Sequence, residues 1–318
     1  MPAPDTTLIP GKARVEWVDS ARCLAMFFIM WLHVGSSPAW VARPVGGGIC
    51  LFFVLAGYFM SSEPCKAIRR TLKLGLAWLL WSLITLGLSL ALDPHMEWTW
   101  AKVFGIGQSA YNTPLWFLKN LTLYQLIIIG LTVLRVLPHY NWLILVMMAG
   151  FSYIDEPAQH EGLRFDWMMA VILGYCLKSV PLTRLEEWLQ KNFLCVVAVA
   201  IIILLQRDLY PALLQNEGLK FYKCSLRIST LCYAVLICQG AMLLSRYLPR
   251  ANKWLAVAGS CMMFTYASHH IFYAPIYAFE FPKEYGVLYS AASIALLTAL
   301  YHLLARFFPR SMKTLTAG

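Results

Sequence analysis

The chain has 318 residues, of which 59% are hydrophobic and 13% are charged, and its mean hydropathy is +0.61. Soluble domains are roughly 45–50% apolar and about 25% charged, so this composition excludes an ordinary soluble protein. The apolar residues form stretches of about 15–22 residues, which are long enough to cross a hydrocarbon core of roughly 30 Å. The sequence therefore predicts a polytopic membrane protein.

The predicted architecture is all-α, because backbone groups in lipid must be hydrogen-bonded within helices. Residues 1–17 are polar or mixed and do not resemble a cleaved signal peptide, so the first apolar segment is expected to stay in the mature chain. We predict a single integral-membrane domain over residues 1–318, with a terminal segment at 1–17 and a tail at 308–318. About ten spans are predicted, at 18–35, 47–62, 74–92, 116–134, 141–154, 164–180, 193–206, 227–245, 254–274 and 287–307.

An even number of spans places both termini on the same side of the membrane. On that topology 17 of the 26 Lys and Arg residues lie on the side of the termini, and nine lie on the other side. The positive-inside rule then predicts that both termini are cytoplasmic. The formal charge of +10 mainly reflects this asymmetry, so it does not indicate nucleic-acid binding.

Two polar side chains stand out in the first predicted span, which contains RCLAMFFIMWLH. Arg22 and His33 lie within roughly 20° of the same helix face and about 16 Å apart along the axis. Ionisable residues in a bilayer are costly and often functional. With Asp19 one turn before Arg22, the pattern favours an anion-binding end and a proton-transfer end. Arg22 could instead be a snorkelling anchor, and His33 an interfacial ring packed against Trp31 and Trp40.

A basic cluster follows the second predicted span, in the loop SSEPCKAIRRTLK. Arg69, Arg70 and Lys73 fall within one and a half helical turns. The more common role of such a cluster is a positive-inside anchor that contacts anionic lipid headgroups. The alternative is a pocket for a phosphorylated cytosolic ligand. Arg22 emerges on the same side, which favours the second role.

The ninth predicted span contains two adjacent histidines, in GSCMMFTYASHHIF. Neighbouring helical residues diverge by about 100°, so only one of His269 and His270 can face a given cavity. The more common role of such residues is an interfacial polar belt with Tyr266 and Tyr273, and Trp116 in NTPLWFL is typical of an aromatic belt. The nine cysteines mostly lie in apolar stretches without metal-ligand spacing, so we expect buried free thiols and no metal.

Several of these motifs together resemble the membrane-bound acyltransferase-3 family of multi-pass O-acyltransferases. DSARCLAMFFIMWLH is similar to that family's first-helix pattern, D-x2-R-x10-H. FFVLAGYFM resembles the family's FFVLSGF motif, the basic loop follows at the same place, and LWFL at 115–118 matches a further block. Gly259, Tyr266 and His269 approximate the pattern G-x2-S-x3-Y-x2-H. The resemblance extends over most of the predicted spans.

Two positions depart from these motifs. Ala56 and Met262 stand where the family usually has serine, so neither position can supply a catalytic hydroxyl. The Arg and His of the first-helix pattern are both present. The departures therefore alter local hydrogen bonding and leave the expected reaction class unchanged.

The resemblance implies transfer of an acyl group, usually acetyl from acetyl-CoA, to a hydroxyl of a sugar or another envelope component across the bacterial inner membrane. His33 would then take the proton of the acceptor hydroxyl, or alternatively carry the acyl group transiently, and Asp19 would orient or pair with Arg22. The implied donor-binding residues are Arg22, Arg69, Arg70 and Lys73, and the implied acceptor-binding residues are His269, Tyr266 and Trp116. Membrane lipids and an extracytoplasmic glycan are the expected partners.

A transporter or flippase of a polysaccharide or a lipid-linked intermediate is the alternative function, because ten helices with few intramembrane charges suit it as well. No inverted repeat with paired broken helices is recognisable, which counts against it. A membrane-bound sensor of small molecules is a third interpretation. The acceptor, the acyl group and the oligomeric state stay open at this point.

Overall fold

The computed structural model describes residues 15–33, 42–105, 113–137, 139–140, 142–144, 146–147, 165–198, 201, 228–278 and 285–316. Within these ranges all regular secondary structure is helical, which confirms the all-α class. The helices are α1 (Glu16–His33), α2 (Ala42–Tyr58), α3 (Pro64–Leu92), α4 (Trp100–Phe104), α5 (Trp116–Val133), α6 (Phe165–Leu177), α7 (Leu182–Lys191), α8 (Ile228–Tyr247), α9 (Pro249–Ser260), α10 (Met262–Ala278), α11 (Gly286–Phe307) and α12 (Pro309–Leu315). A short 3-10 turn, Thr113–Leu115, precedes α5.

Helix α1 lies at the centre of the bundle, where it contacts α2, α8, α9, α10 and α11. Small residues make this close packing possible, because they let helix backbones approach one another. Ala21 and Ala25 are fully buried on α1. A Cβ added at Gly48 of α2 would lie 3.1 Å from the carbonyl oxygen of Ala25. The first predicted span is therefore surrounded by protein on several sides.

The α2–α6 contact is the most extensive in the bundle, and it depends on two glycines. A Cβ added at Gly57 would lie 2.0 Å from the carbonyl oxygen of Val171, and one added at Gly174 would lie 2.0 Å from that of Val54. Both distances are far inside van der Waals contact, so a side chain at either position would push the helices apart.

An aromatic cluster joins α2 to α5 and α6. Phe53 is fully buried, and its ring centroid lies 4.4 Å from that of Phe117, 5.5 Å from that of Trp167 and 5.7 Å from that of Tyr124. Aromatic pairs at these separations contribute beyond their buried area. The cluster holds the start of α5 against α2.

The structure corrects two of the predicted boundaries and adds one helix. Helix α3 begins at Pro64, ten residues before the predicted span at 74–92, so the basic cluster lies in its first turns and not in a loop. Proline at the first helical position and the good helix formers that follow explain this early start. The predicted span 254–274 is two helices, α9 and α10, which meet at Cys261. Helix α7, at an angle of 105° to α6, was not predicted.

Four of the described helices are long and apolar enough to cross a membrane: α3, α5, α11 and Thr230–Tyr247 of α8. The bent pair of α6 and α7 would add a fifth if it formed one broken span. Helix α1 carries three charged residues, and α2 and α10 have 17 residues each, fewer than the roughly 20 of a typical span. The total of ten spans stays a prediction, and those at 141–154 and 193–206 lie partly outside the described residues.

Candidate active site

A cavity of about 300 Å³ opens between α1, α2, α3, α5 and the junction of α9 with α10. In the part of the chain that the structure describes, its charged wall residues are Arg22 and Arg70. Much of the remaining wall is apolar. Its polar contributors are Gln125, Ser260, Tyr266 and Thr316, and its apolar ones include Phe52, Leu55, Leu74, Phe117, Leu121 and Met263. The cavity can therefore hold a ligand with an anionic end and a narrow apolar part.

The guanidinium of Arg22 is held by two neighbours. Its Nη1 donates to Oδ1 of Asp19 at 2.9 Å, and its Cζ lies 5.7 Å from the ring centroid of Phe59. The Asp19 side chain is 3% exposed and that of Arg22 is 30% exposed, so the ion pair extends from the helix interior to the cavity. A charge-assisted hydrogen bond in such surroundings orients the guanidinium more firmly than one in water would.

Helix α9 packs directly on the segment that carries this ion pair. A Cβ added at Gly259 would lie 1.8 Å from the carbonyl oxygen of Asp19, which leaves room for glycine alone. About two turns earlier on α9, Asn252 accepts through Oδ1 from the Ser20 hydroxyl at 2.7 Å and donates through Nδ2 to Glu16 at 3.4 Å. These contacts fix Asp19 and, through it, Arg22.

A pair of histidines lies beside this cavity, of which His33 is half-buried. The ring centroids of His33 and His269 are 5.4 Å apart, and His269 is fully buried. Nδ1 of His269 donates to the backbone carbonyl oxygen of Tyr266 at 2.5 Å. Because a carbonyl oxygen can only accept, this contact assigns the proton of the neutral ring to Nδ1 and the lone pair to Nε2. His269 thus presents an acceptor nitrogen.

Tyr266 connects the cavity to the histidine pair. Its ring lines the cavity and lies 5.2 Å from the ring of Phe117 and 5.6 Å from that of His269. Its hydroxyl donates to the backbone carbonyl of Pro114, which anchors it to the turn before α5. A ligand that fills the cavity from Arg22 to Tyr266 therefore ends one aromatic ring away from His269.

The residues that the sequence singled out fall into three groups. Arg22, Arg70 and Tyr266 line the cavity, as do the two departures from the family motifs, Ala56 and Met262. His33 and His269 form the adjacent pair, with Asp19 behind Arg22. Three other predicted residues, Arg69, Lys73 and Trp116, are not part of the cavity wall.

The early start of α3 explains why Arg70 lines the cavity while Arg69 and Lys73 do not. Residues four apart on a helix share a face, whereas neighbours diverge by about 100°. Arg70 therefore faces the cavity with Leu74, while Arg69 and Lys73 lie exposed on another face. Trp116 packs instead on the aromatic cluster, with its ring centroid 6.3 Å from that of Phe53.

Sequence reasoning missed a polar contact in the cavity wall. Gln125 of α5 accepts a hydrogen bond through Oε1 from the hydroxyl of Thr71 on α3, at 3.0 Å. Gln125 lines the cavity and Thr71 is buried behind it. The available signal was a lone glutamine in the apolar stretch LTLYQLIIIG, because an amide in a predicted span usually has a partner or a function.

The fold and the site together define a helical membrane protein with a cationic cavity beside a pair of histidines. A family model described as an acyltransferase domain, that of the acyltransferase-3 family, matches residues 15–305. The chain belongs to this family, and its role is that of an acyltransferase on a sugar or glycan in general. No curated protein and no solved structure matches the chain.

Proposed function

We propose that the protein transfers acetyl from acetyl-CoA, across the bacterial inner membrane, to a hydroxyl of a cell-envelope sugar or glycan. One observation carries the proposal: the cavity wall contains two guanidinium groups, and Tyr266 in the same wall contacts His269, the buried member of the histidine pair. Anion binding and proton transfer are the two tasks that this reaction requires of side chains.

The donor side of the proposal rests on Arg22 and Arg70. Guanidinium groups bind phosphate oxygens in a bidentate manner, and CoA is rich in phosphate. The cavity volume of about 300 Å³ is at the lower end of the range for small-molecule pockets, so it suits a narrow arm with its acyl group and leaves the nucleotide outside. With both termini in the cytoplasm, as we propose, Arg22 lies at the cytoplasmic end of α1, where CoA is available.

The chemical step of the proposal uses His33 as general base. His33 takes the proton of the acceptor hydroxyl while the hydroxyl oxygen attacks the thioester carbonyl carbon. A carbon–oxygen bond forms, the carbon–sulfur bond breaks, and CoA leaves as a thiolate that takes up a proton. His269 offers Nε2 as an acceptor to the same hydroxyl, which would orient it. Tyr266 and Trp116 are the proposed aromatic contacts of the acceptor.

The test uses the purified protein in liposomes, with labelled acetyl-CoA on one side and envelope glycan on the other. We expect His33→Ala to lower acetyl transfer by about 100-fold or more, in line with the usual contribution of general base catalysis. Arg22→Ala should also lower it, through weaker donor binding. His302→Ala replaces an exposed histidine of α11 and serves as the matched control, with unchanged transfer expected.

Two outcomes would contradict the proposal. One is full transfer by His33→Ala and Arg22→Ala proteins whose thermal unfolding matches that of the wild type. The other is movement of a glycan precursor across the liposome membrane without any acetylated product, which is what a transporter or flippase would give.

A further inference from the structure

A second cavity, of about 210 Å³, lies away from the histidine pair, between α7 and the last turns of α8. Its apolar wall contains Leu189, Phe193, Met242 and Leu243. Its polar side chains include Gln239, deep in the wall, and Arg246, near the end of α8. The acyl-transfer site uses none of these residues.

Gln239 brings a buried acceptor to this cavity. The side chain is 2% exposed, and its Nε2 donates to the backbone carbonyl oxygen of Leu189 at 3.0 Å. That contact fixes the orientation of the amide, because a carbonyl oxygen accepts only from the NH₂ group. Oε1 of Gln239 has no hydrogen-bond partner among the residues that the structure describes. A buried acceptor of this kind is costly unless a ligand donates to it.

Arg246 adds a cation on the same face of α8. Seven residues separate it from Gln239, which amounts to about two helical turns and about 10 Å along the axis. Both side chains line the same cavity, which fits the tendency of helical side chains to lean toward the N-terminus. Its Cζ lies 5.5 Å from the ring centroid of Tyr247. The cavity thus combines a cation near its mouth with an acceptor in its interior.

The composition and direction of helix α7 favour a position of this cavity at a membrane surface. The helix is strongly amphipathic, with Leu189 buried and with Arg184 and Trp188 exposed on other faces. It runs at 105° to α6, which is the geometry of a helix that lies along the surface after a membrane-crossing one. Amphipathic helices with basic residues and tryptophan are typical of the interface between headgroups and acyl chains.

We propose that this cavity binds the headgroup of an anionic phospholipid that carries a hydroxyl group, of the phosphatidylglycerol type. The phosphate pairs with Arg246, and a headgroup hydroxyl donates to Oε1 of Gln239. The small volume holds the headgroup alone, and the acyl chains lie in the bilayer against the exposed side of Leu243. A zwitterionic phosphatidylcholine headgroup lacks both the net charge and the donor.

The experiment measures lipid retained by the purified full-length protein after mild delipidation, by native mass spectrometry. The protein is first equilibrated in vesicles that contain equal amounts of phosphatidylglycerol and phosphatidylcholine. We expect the wild type to retain one phosphatidylglycerol molecule, and Gln239→Leu and Arg246→Gln to retain at least tenfold less. Arg250→Gln removes an exposed cation four residues beyond Arg246, outside the cavity, and should retain as much as the wild type.

Three results would overturn the proposal. Equal retention of both lipids by the wild type would mean that only annular lipid is bound. A loss with Arg250→Gln as large as that with Arg246→Gln would mean that surface charge alone attracts the lipid. If Arg246→Gln retained as much phosphatidylglycerol as the wild type, the site would be excluded, even if Gln239→Leu failed to fold. Arg246 is exposed, so this substitution should not disturb folding. Acetyl transfer is measured separately, because the proposed acyltransferase reaction stands or falls independently of this site.

Discussion

At the scale of single residues, the ion pair of Asp19 and Arg22 differs from that of Glu63 and Lys66. Asp19 is buried on α1, and the pair faces a cavity. At the start of α3, Nζ of Lys66 lies 2.6 Å from Oε2 of Glu63, and both side chains are more than half exposed. Exposed pairs contribute little, whereas a pair that is shielded from water orients its members.

This difference leads to a prediction for Asp19→Asn. Losing one charge-assisted hydrogen bond costs roughly 1.5–3 kcal/mol when it is shielded, and about 1.4 kcal/mol corresponds to tenfold in affinity. We expect the KM for acetyl-CoA to rise about tenfold, because the Arg22 guanidinium loses its fixed orientation. Initial rates against acetyl-CoA concentration measure this. Glu63→Gln is the control, and an equal rise in its KM would contradict a special role for the buried pair.

Met262 supports a second prediction at this scale. Its side chain is 3% exposed and lines the same cavity as Ala56. Met262→Ala should enlarge the apolar part of the cavity, since neighbouring side chains relax only partly after such a truncation. We therefore expect the rate with butyryl-CoA to rise relative to that with acetyl-CoA.

Competition between the two donors in one reaction measures this ratio directly. Met312→Ala removes an equally buried methionine of α12 that does not line the cavity, so it controls for loss of stability. An unchanged donor ratio in Met262→Ala, or the same change in both variants, would show that Met262 does not shape the acyl site.

At the scale of elements, the arrangement of the site depends on helices whose backbones approach one another closely at glycine residues. Gly259 brings α9 onto Asp19, while Gly57 and Gly174 bring α2 and α6 together. Helix association in lipid relies on such close contact, because burial of apolar surface gives little gain between helices already surrounded by acyl chains. The position of Arg22 in the cavity therefore depends on backbone packing some distance from it.

We expect Gly57→Ala and Gly174→Ala each to destabilise the protein by about 1–3 kcal/mol, the usual range for overpacking. Thermal unfolding in detergent, followed by loss of monodisperse protein, measures the shift. Gly87→Ala and Gly130→Ala are matched controls on α3 and α5, since nothing lies within 4 Å of an added Cβ there. Alanine favours helix over glycine, so the controls should be neutral or slightly stabilised. Equal destabilisation in all four variants would refute the packing argument.

At the scale of the whole molecule, the proposed reaction has a direction that depends on topology. Arg22 and the basic start of α3 should face the cytoplasm, where acetyl-CoA is made. Cys65 in the first turn of α3 is exposed, whereas most of the other described cysteines are buried. It is therefore a natural probe of this side of the protein.

A membrane-impermeant maleimide should modify Cys65 in inverted membrane vesicles and not in right-side-out vesicles. Mass spectrometry of the peptide that contains Cys65 reports the modification, and Cys65→Ser shows that the signal is specific. Modification in right-side-out vesicles alone would reverse the proposed orientation, and the donor would then have to enter from the opposite side.

The sequence was most informative where the signal is local. Apolar stretches predicted the class of protein, and the starts of α1, α5 and α8 lie within two residues of the predicted spans. The predicted boundaries of spans were wrong where helix propensity and membrane hydrophobicity disagree. The turns of α3 from Pro64 to Lys73 are polar but helical, and the apolar run around Cys261 contains a break between α9 and α10. Hydropathy shows neither that the polar segment is helical nor that the apolar run is interrupted.

The sequence by itself determined that this is a helical membrane protein of the acyltransferase-3 family, because composition and the D-x2-R-x10-H spacing are properties of short segments. Only the tertiary structure decided that His33 of the first helix lies against His269 near the other end of the chain. It also decided that Arg70, and not its neighbour Arg69, shares a cavity with Arg22. These relations depend on the rotation of each helix and on how closely α1 is packed by its neighbours, which no local pattern specifies.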